Sequence, residues 1–329
     1  MSDVLSSLIT VVIGISSFVL LLLVLYWLSN RLPARFQESS KVALFVGPAL
    51  ILLVIGLVIP AIRTTYFSFR GDGPGNPWVG FANFREIFTS QNQQDTLINN
   101  VLWVVVGTVV STYAGLIIAR YADRMRGEAL AKALIFLPTA VSLAGAGIIW
   151  KFIYAGPPVK VGLLNAVTGA IPGIPANWGG NGDRLWMIEA WPINTLLLII
   201  VLIWVQTGFS TVVFSAAIKN VPEALLEAAT VDGASRNQIF RQIVIPYIRP
   251  TIITVATTTV IFALKVFDIV KAMTGGNFRT STIANDFYAT YFVQNREGYG
   301  SALATLLFVL VIPVVLINRR SQKAAEVAN

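Results

Sequence analysis

Apolar residues fall in seven long runs, at about 8–28, 42–62, 97–119, 132–153, 193–217, 250–271 and 299–317, separated by polar segments rich in Gly, Pro and charge. Crossing a hydrocarbon layer of ~30 Å takes roughly 20 helical residues. The pattern therefore predicts an all-α, polytopic membrane protein with about seven transmembrane helices. The first run exceeds a signal-peptide core, has no basic segment before it and no small-residue cleavage site after it, so it reads as a retained span.

Composition sharpens this picture. Of 329 residues, 55% are hydrophobic and 12% charged, with a mean hydropathy of +0.72, which excludes an ordinary soluble domain. A formal charge of +8 would suggest nucleic acid in a soluble chain. Here the cations sit between apolar runs and orient the protein instead, so no nucleic-acid partner is expected. More than half of the 24 Lys and Arg lie in 29–41 (Arg31, Arg35, Lys41), 120–132 (Arg120, Arg124, Arg126, Lys132), 218–249 (Lys219, Arg236, Arg241, Arg249) and 318–329 (Arg319, Arg320, Lys323). These segments are expected in the cytoplasm, which puts the N-terminus outside and the C-terminus inside. Arg63, Arg70, Arg85, Lys160, Arg184, Arg279 and Arg296 fall in the outer segments, with turn clusters such as Gly71-Asp72-Gly73-Pro74-Gly75. Trp78, Phe81, Phe84, Phe88, Trp178 and Trp186 lie near span ends, as interfacial belts or as contacts for a partner. Cys and His are absent, which removes thiol chemistry, the usual general base and the commonest metal ligand. No catalytic residue or metal site is expected.

Residues 220–233 are too polar to span. Asn220 and Glu223 have capping-box spacing and Pro222 suits a first helical turn. Gly233 is placed to end the helix in the left-handed conformation. Ser235 and Gln238 repeat the capping-box spacing, and Pro246 and Pro250 interrupt the pattern before the next span. Two short helices with a turn at Gly233 are predicted. Small residues at Ala224, Ala228 and Val231, or Leu225, Ala229 and Asp232, align on the first of them, and Glu223 and Glu227 share a face. Helices that lie on lipid headgroups favour Lys and Arg, so this acidic one suits docking to a partner protein.

The run Glu227-Ala228-Ala229, three residues, Gly233, nine residues, Ile243-Val244-Ile245-Pro246 resembles the EAA motif of importer-type ATP-binding-cassette (ABC) permeases, with Ile245 in place of Leu. Trp78-Val79-Gly80-Phe81-Ala82-Asn83-Phe84 is similar to the VGxxNF segment of carbohydrate-uptake permeases like the larger maltose-transporter membrane subunit. Val266-Phe267-Asp268 with Thr274-Gly275-Gly276 resembles their VFD…TGG stretch, and in detail the chain looks closest to alpha-glucoside and related glucoside permeases. The resemblance covers about 42–320 and leaves no room for the maltose subunit's large outer insertion. It implies the type I importer permease fold, with 1–41 as N-terminal helix and linker, 42–320 as core including a coupling segment at 220–246, and 321–329 as a tail. It also implies a coupling helix seated in a cytoplasmic ATPase, with Glu227 and Gly233 as its matching positions; Glu223, Ala228, Ala229 and Asp232 are the further coupling candidates on that segment. The chain has no Gly-x-x-x-x-Gly-Lys-Ser/Thr loop, so ATP and Mg are expected on that partner and no cofactor on this chain. A single coupling segment calls for either a homodimer or a similar second permease, and family precedent favours a heterodimer with a homologous one. Two ATPase copies and an extracytoplasmic sugar-binding protein complete the expected assembly, in a bacterial or archaeal cytoplasmic membrane.

Polar groups inside apolar runs mark a candidate path, because ionisable residues at mid-bilayer cost about 2.5–3.5 kcal/mol on insertion scales. Lys265 and Asp268, three apart, either pair to fix packing or line a path, and Phe267 and Asp268 match the family's sugar-site segment. Lys271 is placed to snorkel. Gln206, Phe209 and Ser210, with Trp204 and Thr207, offer the hydrogen-bonding and ring groups a sugar needs, and Gln206 and Phe209 match sugar-site positions of maltose-type relatives. Hydroxyl residues also serve helix packing in membranes. Pro138, Gly145 and Gly147 permit a kink or close contact. The alternatives are a membrane-embedded enzyme such as a lipid-linked transferase, for which Asp268, Asp286 and Glu297 lack persuasive spacing, and a secondary transporter, for which no internal repeat is evident.

Overall fold

The computed structural model describes residues 2–30, 37–73, 75–156, 162–173, 184–188 and 190–328. Arg31, Arg35, Pro74, Lys160 and Trp178 lie outside the described residues. The chain forms two compact units, Met1–Tyr66 and Phe67–Asn329. Among the described residues it is helical, with an isolated bridge between Arg70 and Trp78 in place of any strand.

In the first unit, α1 (Ser2–Asn30) lies against α2 (Gln37–Leu53). A wide π turn at Val54–Val58 carries α2 into α3 (Ile59–Phe67).

The second unit begins with α4 (Ala82–Thr89) and α5 (Gln91–Leu102), which continues through a π turn into α6 (Thr108–Ala122). After α7 (Glu128–Phe136) comes a 3-10 turn at Leu137–Ala140, then α8 (Leu143–Ile153) and α9 (Leu163–Ala170). The long helix α10 (Ile193–Lys219) precedes the short α11 (Glu223–Val231), α12 (Arg236–Ile239) and α13 (Ile245–Tyr247). The chain then runs through α14 (Arg249–Leu264), α15 (Asp268–Met273), α16 (Ile283–Tyr288) and α17 (Glu297–Ala328).

Among the described residues four helices are long and apolar enough to cross a membrane: Phe45–Phe67, Gln91–Ala122, Ile193–Lys219 and Glu297–Arg320. Two bent pairs add one span each if each is a single span: Glu128–Ala140 with Leu143–Ile153, and Arg236–Tyr247 with Arg249–Leu264. The expected first run, 8–28, lies within α1. Two expected runs are not straight helices. Run 132–153 bends by 101°, because Pro138 sits in the 3-10 turn and Val141 is extended, a cause of kinking of the kind proline supplies. Run 250–271 stops at Leu264.

The centre of the second unit is α10, which packs against α6, α7, α8, α14 and α15. Its Leu198, Ile199, Val201, Leu202 and Val205 form one core with Trp103, Ala263, Val266, Ile269 and Val270. Buried positions all round the helix explain why its sequence shows no amphipathic period. Close approach depends on small residues. A Cβ on Gly115 of α6 would lie 2.4 Å from Cβ of Ser210, and one on Gly147 of α8 would lie 3.1 Å from Cβ of Ala272, the small-residue contact expected of membrane helices.

Candidate functional site

Two regions carry most of the candidate residues: an elbow between α10 and α14, and a break between α14 and α15.

The elbow starts where α10 runs out. Asn220 is the C-cap of α10, its N–H bonding the Ala216 and Ala217 carbonyls. This corrects the expected first capping box. Pro222, with extended backbone, is the N-cap of α11 and supplies no side-chain bond, so Glu223 stands in the first turn without its predicted partner. The second box forms as expected: Ser235 Oγ accepts from Gln238 N–H and Gln238 Oε1 accepts from Ser235 N–H. Gly233 takes φ +80°. Ala234 N–H bonds the Ala229 carbonyl and Gly233 N–H the Thr230 carbonyl, the paired bonds that end a helix on a left-handed residue.

Val221, Phe240, Val244 and Ile248 anchor the elbow in a small core shared with Leu116 of α6 and Ala217 and Ile218 of α10, and Leu226 is the α11 residue that packs on it. The other side of α11 is bare. Glu223, Ala224, Glu227, Ala228, Asp232 and Gly233 are exposed, Ala229 is half-buried, and Val231 is 87% exposed. A small-residue surface flanked by carboxylates thus stands outside a rigidly seated loop. Beside it, Lys132 bonds Asp123 at 2.5 Å and Glu128 at 2.6 Å, Lys219 also reaches Glu128, and Ser215 Oγ donates to Asp123 at 2.6 Å. These contacts tie the α6–α7 turn to the end of α10.

At the second region the expected helical pair does not form. Lys265 is the C-cap of α14, Phe267 (φ −130°, ψ −52°) the N-cap of α15, and Asp268 opens α15. The two charges therefore do not share a helical face, no ion pair joins them among the described residues, and both are exposed. The break is held by side chains that sequence reasoning missed. Asn100 Nδ2 donates to the Leu264 carbonyl at 3.3 Å and Thr282 Oγ1 to the Val266 carbonyl at 2.8 Å, which satisfies carbonyls that a helix end leaves without partners. Asn99 donates to the Arg279 and Ser281 carbonyls at 2.7 and 2.9 Å, and its Oδ1 accepts from Trp191 Nε1 and Thr195 Oγ1. Two adjacent Asn inside an apolar run were the available signal. Lys271 lies over the Tyr288 ring at 4.9 Å, and Phe267 packs on Tyr288 at 5.1 Å.

Gln206, Phe209 and Ser210 lie on α10, which both α14 and α15 contact, but no hydrogen bond links them to Lys265 or Asp268 among the described residues. Gln206 is 6% exposed and its Nε2 has no partner. Phe209 packs with Ala119, Phe214 and Val255, and Ser210 sits in the contact with Gly115. Trp204 pairs edge-on with Trp150 of α8 at 5.9 Å, a ring the sequence reading had not singled out.

At the end of the unit that carries the α4–α5 turn, a polar cavity of about 540 Å³ is lined by Gln93, Asp95, Thr96, Arg279, Asp286 and Arg296 among others. Asp268 and Glu297 are not on its wall, so the three acids considered for an enzyme are not gathered there. Arg279 holds Asp95 through two bonds of 2.7 Å. Burial pushes the Asp286 carboxyl above the ordinary carboxylate range, against donated bonds from Ser281, Thr96 and Gln93. Trp186, expected at an interface, is buried and donates to Asn165 at 2.7 Å.

Among the described residues the chain is a bundle of helices, several apolar enough to span a membrane, with an anchored and exposed elbow, an architecture that fits a membrane permease. The chain belongs to the family of binding-protein-dependent transport system inner membrane components, whose model matches residues 111–326. It is 43% identical over 286 residues to the osmoprotective compounds uptake permease protein GgtC of Synechocystis, covering 86% of this chain and 99% of that one. It is 40% identical over 291 residues to the alpha-glucoside transport system permease protein AglF of Rhizobium meliloti, covering 87% and 84%. Its fold matches a chain of a bacterial ABC transporter that imports the acidic polysaccharide alginate, with TM-score 0.73, 21% identity and coverage of 88% and 97%. The protein is a non-catalytic permease subunit of an ABC importer, residing in the inner membrane.

Proposed function

We propose that this permease forms, with a second homologous permease in a heterodimer, the path for a sugar, either a glucoside or a di- or oligosaccharide, delivered by an extracytoplasmic binding protein. Two copies of a cytoplasmic ABC ATPase hold the ATP and Mg, and one of them seats α11. The N-terminus lies outside and the C-terminus in the cytoplasm.

The observation that carries the coupling role is the bare face of α11 on a loop whose base is locked into the core of α6 and α10. A force applied at Ala224, Ala228 and Val231 reaches both helices through Leu226 and Phe240, so closure of the ATPase pair can rock the spans as rigid bodies. The sugar assignment is supported by the alpha-glucoside relative and by the carbohydrate-permease motifs. The unpartnered amide of Gln206 supports it too, because a buried donor without a partner calls for an explanation, and the Trp150–Trp204 pair offers ring faces of the kind sugars stack on.

The test is to tag the chain, solubilise its membrane in mild detergent, identify what co-purifies and measure ATPase activity with binding protein and candidate sugars. Recovery of an ATPase and a second permease, with sugar-stimulated hydrolysis, is the expected result. A chain that comes out alone and supports no hydrolysis would refute it. With Glu227→Arg, uptake and stimulated hydrolysis should disappear while insertion stays normal; uptake at the parent level would remove α11 from the coupling role.

A further inference from the structure

Between the end of α6 and the elbow lies a cavity of about 440 Å³. Its floor is apolar, with Leu226, Phe240 and Val244 among its residues, while Arg120, Arg124 and Arg236 stand around it. The guanidinium of Arg120 lies 4.1 Å from the centroid of the Phe240 ring. One of its terminal nitrogens donates to Asn237, whereas its Nε is buried and has no partner. Arg124 and Arg236 are exposed. Among the described residues no carboxylate forms an ion pair with any of the three arginines. The nearby carboxylate, Asp123, also lines the cavity, but its Oδ1 is taken by Lys132 and Ser215. Three positive charges therefore stand around one apolar hollow against a single carboxylate, Asp123, whose charge Lys132 already offsets.

We infer that this hollow is a binding site for the phosphate headgroup of an anionic phospholipid. Planar guanidinium groups match phosphate oxygens two at a time, and basic pockets between membrane helices on the cytoplasmic side suit anionic headgroups. Depth agrees, because Arg120 and Arg124 bracket the end of the apolar span Gln91–Ala122, where headgroups lie. The apolar floor separates a lipid from a free ion: Phe240 and Leu226 give the glycerol and first acyl carbons a dry surface that a hydrated phosphate would not use. A phosphate held by Arg120 and Arg124 on one side and Arg236 on the other would clamp the elbow to α6. The site rests on the proposed membrane orientation only for which leaflet supplies the lipid.

The test uses the full chain, stripped of lipid in mild detergent, with phosphatidylglycerol or phosphatidylcholine added and bound lipid counted by native mass spectrometry. Phosphatidylglycerol should be retained in preference to phosphatidylcholine. Arg124→Gln and Arg236→Gln should each weaken its retention about fivefold, from roughly 1 kcal/mol per basic residue at a membrane surface. Both side chains are exposed, so neither change should disturb the fold, and Arg236→Lys should restore part of the binding. Equal retention of the two lipids, or unchanged retention in the double variant, would overturn the inference. So would displacement of phosphatidylglycerol by millimolar inorganic phosphate, which would assign the arginines to a soluble anion. The readout needs neither ATPase nor sugar, so its failure is distinct from failure of the transport reading.

Discussion

At the scale of single residues, the side chains that matter most are polar ones inside apolar helices. Asn99 satisfies two carbonyls and accepts from two donors at once. Asn99→Ala should lower the unfolding temperature in detergent, since each buried group left unpaired costs about 1–3 kcal/mol; an unchanged midpoint would mean water takes over those bonds. Asp286 gives a pH-dependent counterpart. Its folded pKa is raised by burial, so the folded state holds the proton more tightly than the unfolded chain. That contribution is fully present below the ordinary carboxylate value and is lost as pH rises through the raised one. Thermal stability should therefore fall with rising pH across that window, and Asp286→Asn should remove this component. A parallel pH profile in the two proteins would dismiss the assignment. Neither role was legible in the sequence, because the partners of Asn99 and Asp286 lie up to 193 residues away. Asn83 shows the reverse case. It was visible as part of a family resemblance, and the structure supplies its physical reason: its amide donates to the Ser68 and Arg70 carbonyls at 2.9 and 2.7 Å, holding a turn around which Phe69, Trp78, Phe81 and Phe84 pack.

At the scale of elements, sequence pattern located helices well and their breaks poorly. The end of α11 was readable because a left-handed Gly and a second Ser–Gln capping box are local signals. The start was misread because Pro222 fits a first turn and an N-cap equally well, and only the extended conformation it adopts (ψ 127°) decides. The break at Lys265 had no local signal at all. Hydrophobicity runs straight through 250–271, and the interruption is fixed by Asn100 and Thr282 from other parts of the chain. The left-handed Gly233 yields a prediction that separates backbone shape from side-chain contact. Gly233→Val forces a β-branched residue into that conformation at about 1–3 kcal/mol, so sugar-stimulated ATPase activity should collapse. Gly233→Asn, which tolerates the left-handed region, should keep most of it. Equal loss in both variants would point to a tight contact at Gly233 rather than to its conformation.

On the scale of the whole molecule, the arrangement of charge is the argument for orientation, and it connects elements that a single helix cannot. The basic residues Arg120, Arg124, Lys132, Lys219 and Arg236 converge around the end of α6 and the elbow, where several share one cavity or one ion-pair cluster. A sequence count had placed their segments on one side of the membrane; the structure places those residues on one end of the second unit. The far end carries Arg279 and Arg296, each bound to carboxylates, and holds fewer basic residues than the elbow end, which is the asymmetry that orients a membrane protein. The absence of Cys makes the orientation directly testable with single introduced thiols. Ser235→Cys, on the exposed elbow, should react with a membrane-impermeant maleimide only in inside-out vesicles. Gln294→Cys, exposed beside the polar cavity, should react only in right-side-out cells or spheroplasts. The reverse pattern would put α11 out of reach of any cytoplasmic ATPase and would overturn the coupling role, whatever the resemblance of its sequence.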